Sequence, residues 1–490
     1  MTTSGLDDPG ATDAGRAGGA GGASAAAAPA DPPRPTIPPA FVVALAVMVL
    51  ARGGLGLLTA HAATSLPSQG GWLVELAGVG ASLLWAGTTL AALALLGVGF
   101  IELARRAGPG GDGVALRIGA AAVAGLGLCT VVGLYLLHWW IPTGEATGAR
   151  HETWRSIQTW LDRLPFVAAL VASGALVVAG RRLRTVRLLA GPLLVLTALR
   201  WPLSSLRELV SYARPEGGEL WTQAFIDLAI VVAFAGALLA VALALGRALP
   251  PARVDRVRAG QGLERVGSAL VARVLILVVV AFTLVMTVGA RSPAFARLAA
   301  LVFPFGLLLA GLALVTGMIQ AGGLAAAGAP RYRLYAATAL TITALAIEAL
   351  KAVAGYVLLR RGRGEGLPLS DRVERVAAAL PYLTPTLAVA GLLCVLWAAA
   401  PLRRMSGAGV DERALRGAAL ALIACSGAAL GLLRWAETGG VRSVSGFVML
   451  SLLIAVANII ALLAVARVCH RVGEALRGRP ELPTAVATVR

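Results

Sequence analysis

The amino-acid sequence predicts an all-α fold, a polytopic transmembrane bundle of about twelve spans built as a parallel six-plus-six internal repeat. Three observations lead there. The 490-residue chain is 58% hydrophobic and only 14% charged, whereas soluble domains run near about 45–50% apolar and about 25% charged. Its apolar residues form continuous Leu/Ala/Val-rich runs of the length, about 20 residues, that a helix needs to cross hydrocarbon. Its arginines punctuate those runs in an alternating pattern.

A backbone in lipid must satisfy its own hydrogen bonds, so the runs are expected as helices rather than as the alternating segments of about 10 residues typical of a barrel. They fall at 40–62, 74–103, 115–140, 164–181, 187–206, 221–247, 266–289, 297–320, 333–359, 379–400, 414–435 and 446–468. Arg200 and Pro202 interrupt the fifth. Around them the expected organisation is a disordered cytoplasmic tail at 1–37, a first six-helix half at 38–248, a basic cytoplasmic linker at 249–265, a second half at 266–470 and a tail at 471–490. The first tail is rich in Ala, Gly, Pro and Asp and has too little apolar surface to offset its ordering entropy. It lacks the basic start and short apolar core of a secretory signal.

The net charge of +18 does not point to nucleic acid, because the arginines are dispersed between apolar runs instead of gathered in one patch. One set of connections holds Arg105, Arg106, Arg117, Arg181, Arg182, Arg184, Arg187, Arg253, Arg256, Arg258, Arg265, Arg331, Arg333, Arg403, Arg404 and Arg413. The intervening set is balanced by Glu145, Glu152, Asp162, Glu208, Glu216, Glu219, Asp371 and Glu374. The positive-inside rule assigns the first set to the cytoplasm, which puts both termini there. Tryptophans gather at the opposite, outer ends: Trp72, Trp139, Trp140, Trp154, Trp160, Trp201, Trp221 and Trp435. Lys351 is the lone lysine; with the abundance of Ala, Gly and Arg this suggests a GC-rich bacterial genome, hence the bacterial inner membrane.

Marks recur in the same order in both halves. Leu164-Pro165-Phe166 matches Leu380-Pro381-Tyr382, Leu199-Arg200-Trp201 matches Leu433-Arg434-Trp435, and Tyr135 matches Tyr356. Phe225 and Leu228 match Phe447 and Leu450. The stretches before each Leu-Pro have helical apolar spacing and read as amphipathic helices on the outer surface. Six spans per half make the repeats parallel, about an axis along the membrane normal. This plan resembles that of major-facilitator transporters in topology only. The loop where that family carries its Asp-Arg and basic cluster reads ARRAGPGGDGVALR here.

Charge inside a span is costly and marks candidate function. The candidate solute-binding residues are Arg52, Arg200, Asp227, Glu348, Lys351 and Arg434, with Glu75 and Arg273 also lying inside apolar runs. Glu348 and Lys351 share a helix face. Arg52 precedes Gly53, Gly54 and Gly56, which permit close approach or local unwinding. Cys129, Cys394, Cys425 and Cys469 form no CxxC pair, and His61, His138, His151 and His470 have no helical ligand partner, so no metal, cofactor or disulfide framework is expected. With no catalytic motif either, the expectation is a non-enzymatic secondary transporter or permease with a site between the halves, in contact with lipid and a small solute. Two alternatives remain: a scaffold or envelope-complex subunit, and a membrane enzyme working on a lipid-linked substrate near His138, His151 and Glu152. Substrate and oligomeric state are not legible.

Overall fold

The computed structural model describes residues 38–57, 72–131, 149–211, 217–250, 256–290, 293–322, 329–361, 371–437 and 444–478. Among them every regular element is helical. The α-helices are α1 (Pro39–Val49), α2 (Trp72–Ala107), α3 (Gly111–Val131), α4 (Ala149–Ala179), α5 (Arg184–Ser211) and α6 (Gly217–Ala248). They continue with α7 (Arg256–Ala290), α8 (Pro293–Gly322), α9 (Ala329–Arg361), α10 (Asp371–Ser406), α11 (Glu412–Glu437) and α12 (Val444–Gly478). Each expected apolar run overlaps one of them.

Seven helices are long and apolar enough, within the described residues, to cross a membrane: α2, α3, α6, α8, α10, α11 and α12. Their outward faces are greasy. Met449–Gly478 has a mean hydropathy of 2.6, yet only 17% of its most apolar stretch is buried. Leu420 is 67% exposed and Ile460 is 61% exposed. In water such faces would add up to a large apolar patch, which soluble monomers rarely carry; surrounded by hydrocarbon they cost nothing. The protein is a helical membrane protein.

Several boundaries differ from those read off the sequence. The stretches before each Leu-Pro are not separate helices: α4 runs unbroken through Pro165 and α10 through Pro381. A proline deletes one backbone hydrogen bond, and in a bundle that loss bends a helix without ending it. α5 likewise passes through Pro192 and Pro202. The basic stretch at 249–265 is helical from Arg256, and α12 extends past 470 to Gly478. The tail at 1–37 lies outside the described residues, as do Tyr135, His61 and the stretch 132–148.

α1 begins with Pro39 at its first position, where the missing N–H is no loss. It passes into a π-turn, Leu50–Gly54, in which Leu55 N–H donates to the carbonyl of Leu50, five residues back. Gly108, at φ 80°, turns the chain from α2 into α3.

Helix packing follows the same order in both halves. In the first, α1 packs on α2, α2 on α3, α3 on α4, α4 on α5, α5 on α6, α6 back on α1, and α4 also on α6. In the second, α7 packs on α8, α8 on α9, α9 on α10, α10 on α11, α11 on α12, α12 back on α7, and α10 also on α12. Two apolar cores result, one within α1–α6 and one within α7–α12, with Tyr335 and Ala339 of α9 reaching into the first. The seam between the halves is made by α2 against α9 and α10 and by α1 against α9. Contact there is intimate: a methyl group on Gly87 of α2 would lie 3.0 Å from the Thr343 carbonyl oxygen of α9.

Candidate functional site

At the end of the seam where the arginine-rich connections lie, α2 carries Glu102 and Arg106 one turn apart, and α9 carries Arg331 and Tyr335 one turn apart. Tyr335 is fully buried and donates its hydroxyl hydrogen to Glu102 Oε1. Arg331, 5% exposed, lies with its Nη2 3.5 Å from the same oxygen. Its Nε donates to the carbonyl oxygen of Gly322, the last residue of α8, at 2.9 Å. Arg106 donates from Nε to Pro250 at 2.8 Å and from Nη2 to Gly246 at 2.7 Å, closing the C-terminus of α6. One carboxylate therefore ties α2 to α9, and the two arginines tie each of these helices to a neighbour. Glu102 lies just before Arg105 and Arg106 in the sequence, and its partners Tyr335 and Arg331 lie in the other half, so the sequence by itself carries little signal of its role.

Arg333 and Arg403 sit nearby in quite ordinary roles. Arg333 stacks 3.8 Å from the Trp397 ring centroid and donates to the Trp397 carbonyl at 2.9 Å. Arg403 donates to the Val410 carbonyl at 2.8 Å. On the other side of the second half, Arg477 pairs with Glu264 at 2.6 Å.

Further along the helices a second polar place opens. Arg273 of α7 and Glu348 of α9 line one small cavity with Leu314, Thr341, Ala388 and Leu392. Its volume is about 10 Å³, room for about one water-sized body. Both residues are half-buried. No direct ion pair joins them among the described residues, so they share the cavity without closing it.

The backbone of Arg52, in the π-turn that follows α1, lies at a similar height. The Phe41 ring packs 5.4 Å from Phe100 of α2, a short step from the Glu102–Tyr335 bond. From those anchors Arg52 and Glu348 both lie about 15–20 Å further along their helices at about 1.5 Å per residue. Gly53, beside Arg52, packs so tightly on Leu228 of α6 that a methyl group there would overlap it. That contact carries Asp227, next to Leu228 and half-buried, to the same height.

No family model, curated protein or solved structure matches this chain.

The expected site residues accordingly divide. Glu348 lines one cavity with Arg273, and Asp227 stands level with Arg52 through the Gly53–Leu228 contact. Arg434 is exposed in the last turn of α11, beside Trp435. The side chains of Arg52, Arg200, Lys351 and Glu75 lie outside the described residues, although their backbones are helical. Among the described residues no cluster of His, Cys, Asp or Glu has the composition to hold a metal ion.

Proposed function

We propose that this chain is a secondary transporter of twelve spans, with two six-helix halves related as a parallel repeat and both termini in the cytoplasm of a bacterial inner membrane. Support for the repeat comes from the packing order, in which every strong helix pair of the first half has its counterpart six helices later. The tally of twelve crossings rests on twelve helices that each carry one apolar run.

The observation that carries the transport reading is the cavity between Arg273 and Glu348. Opposite charges are kept in a membrane interior only where they have work or a partner, and these two face a shared cavity without touching. The cavity belongs to α7–α10 and adjoins the seam through α9 and α10. The Glu102–Arg331–Tyr335 cluster then serves as the inner closure, because it joins the two halves at the end where the basic connections lie. Moving one half against the other would have to break it.

Purified protein in proteoliposomes, offered amino acids, sugars, organic acids and inorganic ions with and without an imposed proton gradient, tests this. Accumulation of one class, lost in Arg273→Gln, is the expected result. No uptake of any class would reject transport.

A further inference from the structure

The turn that joins α4 to α5 is tightly made and densely charged. Gly180 N–H donates to the Leu176 carbonyl at 3.0 Å, Leu183 N–H to the Gly180 carbonyl at 2.8 Å, and Arg187 N–H to the Leu183 carbonyl at 3.1 Å. Val186 is fully buried against Gly180, where a methyl group would lie 2.7 Å from its side chain. With that apolar residue tucked inward, Arg181, Arg182, Arg184 and Arg187 all remain exposed. None of these guanidinium groups makes a hydrogen bond or an ion pair among the described residues.

Like charges so close together repel, and the chain does little to offset them. No acidic residue occurs between Asp162 and Glu208. Asp112 of α3 stands level with the turn, because Gly119 of α3 meets Ala175 of α4, seven residues from Asp112 and from Arg182 respectively. It pairs with none of the turn's arginines. The counterpart turn of the second half, between α10 and α11, is built differently. Arg403, Arg404, Arg413 and Arg416 surround it, but Asp411 and Glu412 stand among them. Glu412 pairs with Arg416 at 2.6 Å and with Arg403 at 3.6 Å. The turn of the first half lacks such internal pairing, so its counter-charge comes from the surroundings.

Those surroundings include lipid. Exposed apolar side chains follow both helices away from the turn: Val171 and Val178 on α4, Leu188 and Val195 on α5, each pair about two turns apart. Leu188, 69% exposed, directly follows Arg187. Charge thus gives way to greasy surface within one residue, as a bilayer passes from phosphates to acyl chains. We propose that this turn docks an anionic phospholipid, its phosphate held by the turn's arginines and its chains lying along α4 and α5. Guanidinium groups match phosphate oxygens bidentately, and a basic cluster at a membrane surface attracts anionic headgroups. The proposal needs only a membrane-embedded chain and does not depend on transport.

Phosphatidylglycerol is the probe, with phosphatidylcholine of the same acyl chains as its zwitterionic rival. The purified, delipidated full-length chain in detergent is titrated with each, and the tightest-bound lipid is followed by native mass spectrometry. Phosphatidylglycerol should bind more tightly. One arginine near an anionic surface is worth about fivefold in affinity, so Arg181→Gln combined with Arg184→Gln should weaken that binding at least about fivefold. Arg404→Gln combined with Arg413→Gln removes the same charge from the other turn and should leave it unaltered. Arg181→Lys combined with Arg184→Lys should keep most of it, which separates charge from misfolding. Equal binding by the two glutamine pairs would overturn the proposal, as would equal binding of the two lipids or a lysine pair no better than its glutamine equivalent. Displacement of the lipid by soluble glycerol phosphate would overturn it too, since the acyl chains would then contribute nothing.

Discussion

Tyr335 on α9 donates its hydroxyl hydrogen to Glu102 on α2, so a largely buried bond, beside the Arg331–Glu102 ion pair, joins the third helix of one half to the second helix of the other. Tyr335 is fully buried and the Glu102 side chain is only 16% exposed, which makes the bond costly to leave unmade.

Tyr335→Phe tests that cost. The largely buried acceptor keeps Arg331 beside it but loses its hydroxyl donor, which should destabilise by about 1–3 kcal/mol. The midpoint of thermal unfolding in detergent should fall by several degrees. An unchanged midpoint would mean that water or another side chain replaces the hydroxyl.

Removing the carboxylate is harsher. Glu102→Ala leaves Arg331 buried without its counter-charge, and breaking one side of such a pair costs about 3–5 kcal/mol. Pairing that change with Arg331→Met should recover stability relative to Glu102→Ala alone, since the stranded charge is then gone. A double variant whose loss equals the sum of the two singles would show that the residues act independently.

Backbone proximity sets a third expectation. α7 and α8 meet at Gly262 and Gly317: a methyl group on Gly262 would lie 2.7 Å from the Gly317 carbonyl oxygen. Gly262→Val should force the helices apart and cost at least about 1–3 kcal/mol. Gly427→Val on α11, where nothing lies within 4 Å of the added group, is the control and should melt like the unaltered chain. Equal melting of both variants would contradict the close crossing.

Much of the helical framework was legible from the sequence, because the length and greasiness of each run reflect its solvent. The seam was not. Apolar periodicity tells which residues leave water but not which helix of the other half they meet, so Arg331 read as a loop charge although it is 5% exposed and bonded. Glu102 was passed over for the same reason: its meaning depends on Tyr335, far away in sequence. Glu348 was found because a lone acid in an apolar run is conspicuous by itself. Its companion at the cavity is Arg273, which only the approach of α7 and α9 to one cavity reveals. The amphipathic stretch ahead of Pro165 was misjudged as a separate helix because a proline reads locally as a boundary, while the surrounding bundle tolerates one missing bond.

The return of α6 onto α1 and of α12 onto α7 gives each set of six its own closed perimeter. Neither needs the covalent connection between residues 250 and 256 to find its partners. Two separately translated fragments, divided in that stretch and co-expressed, should therefore insert, meet along α2 and α9, and co-purify as a pair. Glu102→Ala in one fragment should weaken the capture of the other, so the molecule is better regarded as a tethered dimer than as a single winding chain.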